Sequence, residues 1–282
     1  MVEGGDGRES MSTFEGKRFG FLGAGVIAEV FIRRLIASGT AKPEYILVHD
    51  INGAILERLA AAHGVRAMGS NADVAAGCDL LFVAVPPPAV LPVLREVAAQ
   101  LLPDQIVISM AAAVSTALIE AAIGKPVPVV RLVPNTPSWI GQGMNPYCLG
   151  SHVGPAEKEV IRELHGVFGM AVEIEEERMT IATALTAVGP TYIFPVIAAL
   201  ADAAVAHGLP PGLALSAVCQ VVSGAANLAR ETGRSPEGLS LMISTRTLDE
   251  TAAKKLFMQA MEDAYAKILA AEAKIEAAAS KA

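Results

Sequence analysis

Over the first half of the chain, short apolar runs alternate with stretches in which apolar residues recur every three or four positions. The runs Phe19–Gly23, Tyr45–Asp50, Val65–Met68, Asp79–Val85, Gln105–Ser109 and Val127–Leu132 predict strands. Helical periodicity lies between them, over 27–38, 54–62, 89–101 and 115–123. Strands that are apolar almost throughout and alternate with helices imply a parallel sheet covered on both faces. After Gly143 the strand signal weakens and Pro146 interrupts it, leaving Tyr147–Leu149 and Ala171–Ile174 as candidate edge strands.

From Pro155 onward the pattern is helical, over 155–168, 178–187, 190–207, 210–232 and 248–278. The breaks fall at Gly189-Pro190, at Gly208 to Gly212 and at Gly233 to Pro236. Ser235 suits an N-cap, with Pro236 at the first helical position and Glu237 behind it. Ile193–Val205 and Leu213–Ala229 are apolar around most of their circumference. A helix buried on most sides needs more neighbours than one small helical layer supplies, which points to a subunit interface, two-fold by default; a compact monomeric bundle is the alternative. The expected organisation is a disordered tail at 1–16, an α/β domain at 17–153 and a helical domain at 154–282. The fold class is α/β: a Rossmann-type domain followed by an all-helical dimerisation domain.

The first strand runs into Gly23-Ala24-Gly25-Val26-Ile27-Ala28, a G-x-G-x-x-A turn that opens a helix. Strand, glycine turn and helix are what a dinucleotide pyrophosphate requires. Gly23 permits the turn, Gly25 lets the phosphates reach the backbone, and Ala28 lets the helix pack on the strand. The helix N-terminus offers N–H groups and partial positive charge. Asp50 ends the second strand, where an acidic residue bonds the adenosine ribose hydroxyls and repels a 2′-phosphate. Ile51-Asn52-Gly53 supplies no cation for such a phosphate, which favours NADH over NADPH. Asp50 also suits the cap of the next helix.

Composition narrows the picture. With 52% hydrophobic but only 5% aromatic residues, the core must be built from Ala, Val, Leu and Ile. A net charge of −7 without a Lys/Arg cluster argues against a nucleic-acid partner. Cys78, Cys148 and Cys219 are scattered, with neither metal nor disulfide spacing, which fits a reducing cytoplasm. Residues 1–16 lack the apolar stretch of a signal peptide. No uninterrupted apolar run reaches the ~18 residues of a membrane span. The richest, Ile193–Val205, contains Pro195 and Asp202 and reads as a buried helix. His49, His63, His152, His165 and His207 are ungrouped and read as surface or cap residues. Glu175–Glu177 reads as a solvated first turn.

Three further segments carry candidate chemistry. Ala84-Val85-Pro86-Pro87-Pro88 follows a strand; its rigid, donor-poor loop fits the lining of a flat ring and equally a stiff connection. In Val130–Gly143, Pro134 and Pro137 fix a turn, Asn135 and Thr136 suit the orientation of a carboxamide, and Arg131 is the nearest fixed cation; a structural Asx turn fits the same residues. In Ala187–Tyr192 a helix breaks at Gly189-Pro190 and restarts. The restart fits a carboxylate cradle built from N–H groups and the Thr191 and Tyr192 hydroxyls, and equally a proline kink.

Together these segments resemble the pyrroline-5-carboxylate reductase family, whose members read F-I-G-x-G-x-M-A, A-V-K-P-Q, R-x-M-P-N-T-P, S-G-S-G-P-A-Y and S-P-G-G-T-T in this order. Here the first four are Phe21–Ala28, Ala84–Pro88, Arg131–Pro137 and Thr186–Tyr192, and the resemblance runs from residue 18 to about 270. It implies NAD(P)H-dependent reduction of a cyclic imine carboxylate, 1-pyrroline-5-carboxylate to L-proline, by hydride transfer without a dedicated base. It also implies a cofactor held by Gly23, Ala24, Gly25, Val26, Ile27, Asp50, Ala84, Val85, Pro86, Ala111, Pro134 and Asn135. Substrate would meet Gly189, Arg246 and Thr247, with Thr191, Thr247 and Thr251 as the catalytic hydroxyls. A homodimer or larger homo-oligomer through the C-terminal helices follows, in the cytoplasm and without a membrane. The chain departs from the family where Pro86 replaces Lys, where Thr186-Ala-Val188 replaces S-G-S, and where Ser244-Thr-Arg-Thr-Leu-Asp-Glu-Thr251 lacks the glycines of the substrate loop. Those departures keep two other readings open: a reductase of a different imine or keto compound, and a non-catalytic dinucleotide-binding regulator.

Overall fold

The computed structural model describes residues 13–281. Its chain forms β1 (Phe19–Leu22), α1 (Val26–Ala37), β2 (Ile46–His49), α2 (Gly53–His63), β3 (Arg66–Ala67), α3 (Asn71–Gly77), β4 (Leu80–Val83), α4 (Pro87–Val97), β5 (Ile106–Ser109), α5 (Thr116–Ile123) and β6 (Val129–Leu132). There follow β7 (Gly143–Leu149), α6 (Pro155–Phe168), β8 (Gly169–Glu173) and α7 (Met179–Thr186). The remaining helices are α8 (Pro190–Ala206), α9 (Pro211–Thr232), α10 (Pro236–Ser240) and α11 (Glu250–Ala279). The strands form one sheet in the order β3-β2-β1-β4-β5-β6-β7-β8. Only the β6–β7 pair is antiparallel among the described strands.

Both faces of the sheet are covered, as the continuous apolar strands require. On one face Phe19, Phe21 and Phe82 meet Phe31, Ile32 and Leu35 of α1 and Ile161, Leu164 and Phe168 of α6. On the other, Leu81, Val83 and Val107 meet α3, α4 and α5 through Val74, Leu94 and Ile119. The few aromatic rings cluster in the first face, with Phe21 stacked on Phe82 at 4.6 Å and Phe31 on Phe168 at 3.9 Å between centroids.

The chain divides into two compact units. One runs to Ala187 and resumes at Tyr265; the other is Val188–Ala264. This division falls later than the 153/154 boundary read from the strand pattern, because α6 packs on β8 and α7 on β7, extending the sheet unit. β7 begins at Gly143, four residues before the candidate edge strand at Tyr147, and lies inside the sheet. Pro146 is tolerated there. Its carbonyl accepts the Val133 N–H at 2.9 Å, so its missing donor faces the end of the β6 ladder and removes no bond to β8.

Several other expectations are corrected. Residues 1–12 of the expected tail lie outside the described residues, while Phe14 is buried beside Phe19. Helix α3 is an element the periodicity did not reveal. His165 is no surface residue: it is wholly buried in α6, with Tyr147 4.5 Å away edge-on, and burial drives its pKa down to about 3. Ile193–Val205 is not buried within the chain; α8 contains no buried residue. Two helical stretches, Glu176–Ala206 and Pro211–Thr232, are long and apolar enough to cross a membrane by length and composition alone.

Candidate functional site

A cleft of about 620 Å³ opens beyond the carboxyl ends of β1, β2, β4 and β5. In a parallel sheet this is where ligands bind, at the point where strand order reverses on either side of β1 and β4. Its floor is the glycine turn. Gly23 has φ +99°, and a Cβ there would lie 2.9 Å from the Ala84 carbonyl oxygen, so both backbone shape and close packing demand glycine. Gly25 differs: a Cβ there would meet nothing within 4 Å. Gly25 lines the cleft, so the backbone there is open to a ligand's approach. Gly25 is also the N-cap of α1 and provides no side-chain cap, so the helix start presents its N–H groups to that space. These features fit a dinucleotide diphosphate.

The first turn of α1 carries Glu29, which is spoken for. Arg58 and His63 of α2 bond its carboxylate at 2.8 Å and 3.1 Å. The Arg58 hydrogen bond is the main reason its pKa falls to about 2, with burial opposing. The pairing satisfies a charge that would otherwise oppose an anion at the same helix end.

Asp50 does more than end β2. One carboxylate oxygen accepts the Ala24 N–H at 2.7 Å and the other the Asn52 N–H at 2.8 Å. It therefore anchors the glycine turn from the neighbouring strand. The cap of α2 is Asn52, which accepts the Ile55 N–H. Among the described residues, no Lys or Arg lines the cleft.

The cleft collects Gly23, Gly25, Val26, Ile27, Asp50, Ala84, Val85, Pro86 and Ala111 in its wall. Ala24 is buried behind it, acting through the N–H given to Asp50. Pro134 and Asn135 do not line it. The Asn135 side chain bonds the Thr186 carbonyl at 3.2 Å and the Met144 N–H at 3.1 Å, so it braces the turn after β6 against α7 and is not available to a carboxamide. Sequence reading missed Asn71, which lies in the cleft wall at the start of α3 and gives its amide hydrogens to Glu96 at 3.2 and 3.3 Å. The signal was the Ser70 cap, which accepts the Asp73 N–H at 3.1 Å.

Arg131 is not a free cation. Its guanidinium is buried and bonds Glu176, the Ala112 carbonyl and, at 2.8 Å, Glu272 of α11. Glu176 accordingly is half-buried in this pairing, not the fully solvated residue its charge run suggested. Burial pushes its carboxyl up, but hydrogen bonds from Thr116, Cys148 and Arg131 outweigh this and hold it below the usual range. The Cys148 thiol is pushed up by burial and by the Glu176 carboxylate.

The second unit holds the remaining candidates. At the helix restart, the Thr191 and Tyr192 N–H groups bond the carbonyls of Val188 and Gly189 at 2.8 and 2.9 Å, and Pro190 has no N–H. The restart thus turns these donors inward and does not form the expected cradle. The Thr191 hydroxyl donates to the Val188 carbonyl at 2.7 Å. Arg246 and Thr247 lie in an exposed irregular stretch between α10 and α11. Thr251 is in the first turn of α11, in a groove it shares with Glu237 and Lys254, which pair at 3.6 Å.

Comparison with known proteins accords with this geometry. Residues 18–113 match the family described as NADP oxidoreductase coenzyme F420-dependent, and residues 176–275 match the pyrroline-5-carboxylate reductase dimerisation family. The chain is 32% identical to the pyrroline-5-carboxylate reductase of Methanosarcina acetivorans over 256 residues, covering 88% of this chain and 95% of that protein. It is 31% identical to that of Escherichia coli, covering 87% and 94%. Among solved structures, the pyrroline-5-carboxylate reductase of Coxiella burnetii superposes with a TM-score of 0.71 at 29% identity, covering 92% of this chain and 97% of that one. The pyrroline carboxylate reductase of Plasmodium falciparum, solved with NADP bound, superposes with a TM-score of 0.81 at 24% identity, covering 92% and 99%. Full-length similarity on a sheet that ends in a dinucleotide cleft makes this chain a member of the pyrroline-5-carboxylate reductase family.

Proposed function

We propose that this chain reduces 1-pyrroline-5-carboxylate to L-proline with a nicotinamide dinucleotide as reductant. The observation that carries the reading is the vacant approach above Gly25, set at the N-terminus of α1 in a chain that matches its relatives along nearly their full length. When bound, the reduced nicotinamide supplies a hydride to the imine carbon, and the C=N bond becomes an amine N–H and a C–H. The protein's own work is placement and charge complementarity. Thr191 has given its hydrogen to Val188, so toward substrate its oxygen is an acceptor, which suits a protonated imine nitrogen. Thr247 and Thr251 supply further hydroxyls, and Arg246 receives the carboxylate, in place of the glycine loop that this chain lacks.

NADH is the favoured cofactor. Asp50 lines the cleft at the end of β2, where an acidic residue suits the ribose hydroxyls, and among the described residues no Lys or Arg lines it to receive a 2′-phosphate. The active form is a homodimer or a higher assembly of dimers through the region that matches the dimerisation family. The two long apolar helical stretches are better explained by this assembly than by a membrane. Free cysteines accord with a cytoplasmic location. The rewritten 244–251 loop favours one second reading, reduction of a different cyclic imine.

The test follows nicotinamide absorbance with each cofactor and 1-pyrroline-5-carboxylate, in the parent and in Asp50→Ser. Turnover of pyrroline-5-carboxylate is expected, with NADH preferred and the preference shrinking by about tenfold in the variant. Because Asp50 also anchors the Ala24 N–H, Asp50→Ser is expected to weaken both cofactors as well. Binding of cofactor without turnover of this imine refutes the substrate; an unchanged cofactor ratio refutes the reading of Asp50 as the discriminating charge.

A further inference from the structure

The cluster around Arg131 lies beside the cofactor cleft and does not line it. Arg131 sits in the middle of the sheet, paired in register with Ser109 of β5 and Cys148 of β7, and its side chain is only 3% exposed. Such a cation must be satisfied where it lies. Two carboxylates do so. Glu176 arrives from the turn before α7, and its other oxygen takes the Thr116 N–H at 3.2 Å, the Thr116 hydroxyl at 2.7 Å and the Cys148 thiol at 3.1 Å. Glu272 arrives from the C-terminal part of α11, held by the Thr180 hydroxyl at 2.5 Å.

The third partner of the guanidinium is a backbone atom, the Ala112 carbonyl. Met110, Ala111 and Ala112 form the wall of the cleft beyond β5. Met110 is anchored in the apolar core, whereas Ala111 and Ala112 carry only methyl groups, and the Arg131 hydrogen bond to the Ala112 carbonyl fixes the orientation of the segment's last peptide. The nitrogen that bonds Ala112 is the one that Glu272 bonds at 2.8 Å. Glu272 therefore sets where that nitrogen points.

We infer that Glu272 is a positioning residue for the cofactor: through the Arg131 guanidinium and the Ala112 carbonyl it fixes the 110–112 wall of the cleft. Thr180 is its support. The role rests on the reading of the cleft as a nicotinamide dinucleotide site, and it places residues more than a hundred positions apart in one binding surface.

The experiment titrates NADH and NADPH onto the full-length protein by nicotinamide fluorescence, in the parent, Glu272→Ala, Glu272→Gln and Thr180→Val. KM for 1-pyrroline-5-carboxylate is measured alongside. Glu272→Ala is expected to raise the Kd of both dinucleotides by about three- to tenfold while the KM of the imine stays within about twofold. Glu272→Gln keeps an acceptor oxygen and is expected to restore most of the affinity; Thr180→Val shifts Kd in the same direction by less. A merely structural role lowers Tm and leaves Kd within about twofold; that result in folded Glu272→Ala overturns the inference, as does an unchanged Kd in Thr180→Val should Glu272→Ala fail to fold. The two readings separate cleanly. A parent that binds dinucleotide but reduces no pyrroline-5-carboxylate refutes the substrate and leaves the Kd comparison to decide Glu272.

Discussion

The sheet unit and the Val188–Ala264 unit spend their apolar residues in opposite ways. In the sheet unit every residue of β1, β4, β5 and β6 is buried. In Val188–Ala264 only Ala214, Val218 and Ala264 are buried among the described residues, while Phe194, Leu213 and Val221 are more than half exposed. Both stretches are similarly apolar in sequence. The difference lies in geometry: parallel strands joined by crossover helices close a core within one chain, whereas two or three long helices leave most of their circumference outward. Apolar composition tells how much surface must be covered, and topology tells whether the chain can cover it alone. The match of residues 176–275 to a dimerisation family accords with the partner copy proposed above as the cover.

The contrast can be tested at single residues. Gly25→Val is expected to lower dinucleotide affinity by about a hundredfold, roughly 2.7 kcal/mol, with little change in Tm, because a Cβ there meets nothing within 4 Å. Gly23→Val serves as its counterpart and is expected to lower Tm, since its Cβ strikes the Ala84 carbonyl at positive φ. Equal Tm losses in the two would show that Gly25 is also structural. Val221→Glu, on a surface 64% exposed in the single chain, is expected to weaken self-association by about 2 kcal/mol or more, read by sedimentation, without altering dinucleotide affinity. An unchanged sedimentation profile would place the interface on another face of these helices.

His165→Met is expected to give the smallest change, a gain of about 1–2 kcal/mol read by thermal or denaturant unfolding, because neither ring nitrogen has a hydrogen-bond partner among the described residues. Its pH dependence fixes the cause. The folded ring has a pKa near 3, below its ordinary 6.5, so the unfolded chain binds the extra proton between these values. Stability is full above about 6.5 and falls as pH drops toward about 3. The Glu29 carboxyl, lowered to about 2 from 4.5, adds a second loss at more acid pH, where it is protonated out of its pairing with Arg58. His165→Met should remove the first of these limbs and keep the second; retention of both would mean that another group causes the loss above pH 4.5.

Much of this was legible along the chain. Strands and helices follow from periodicity, and the glycine turn from its spacing. Helix α3 was not, because Asn71–Gly77 is short and small and carries no apolar stripe. Glu176 and Asn135 were misjudged for a related reason. A charge run or an Asn in a turn carries no local mark of inward facing; Glu176 is drawn in by Arg131 on β6, and Asn135 is occupied by the end of α7. Asp50 lines the cleft, but its bond to Ala24 depends on two strands lying side by side. What escapes a linear reading is which polar groups meet after the sheet has formed.

The return of α11 has a consequence for how the molecule is made. Ile275 and Ala279 pack against the apolar cluster of α3, α4 and α5, and Glu272 reaches Arg131 across 141 positions of sequence. A ribosome delivers the eight strands early, yet the cluster gains the side chains of Ile275 and Ala279 only when α11 emerges. During that interval the nascent domain lacks its closing contacts and Arg131 lacks one counter-charge. Contacts of such long sequence separation slow the final step of folding. That makes the newly released chain, rather than the finished one, the state most exposed to misassembly.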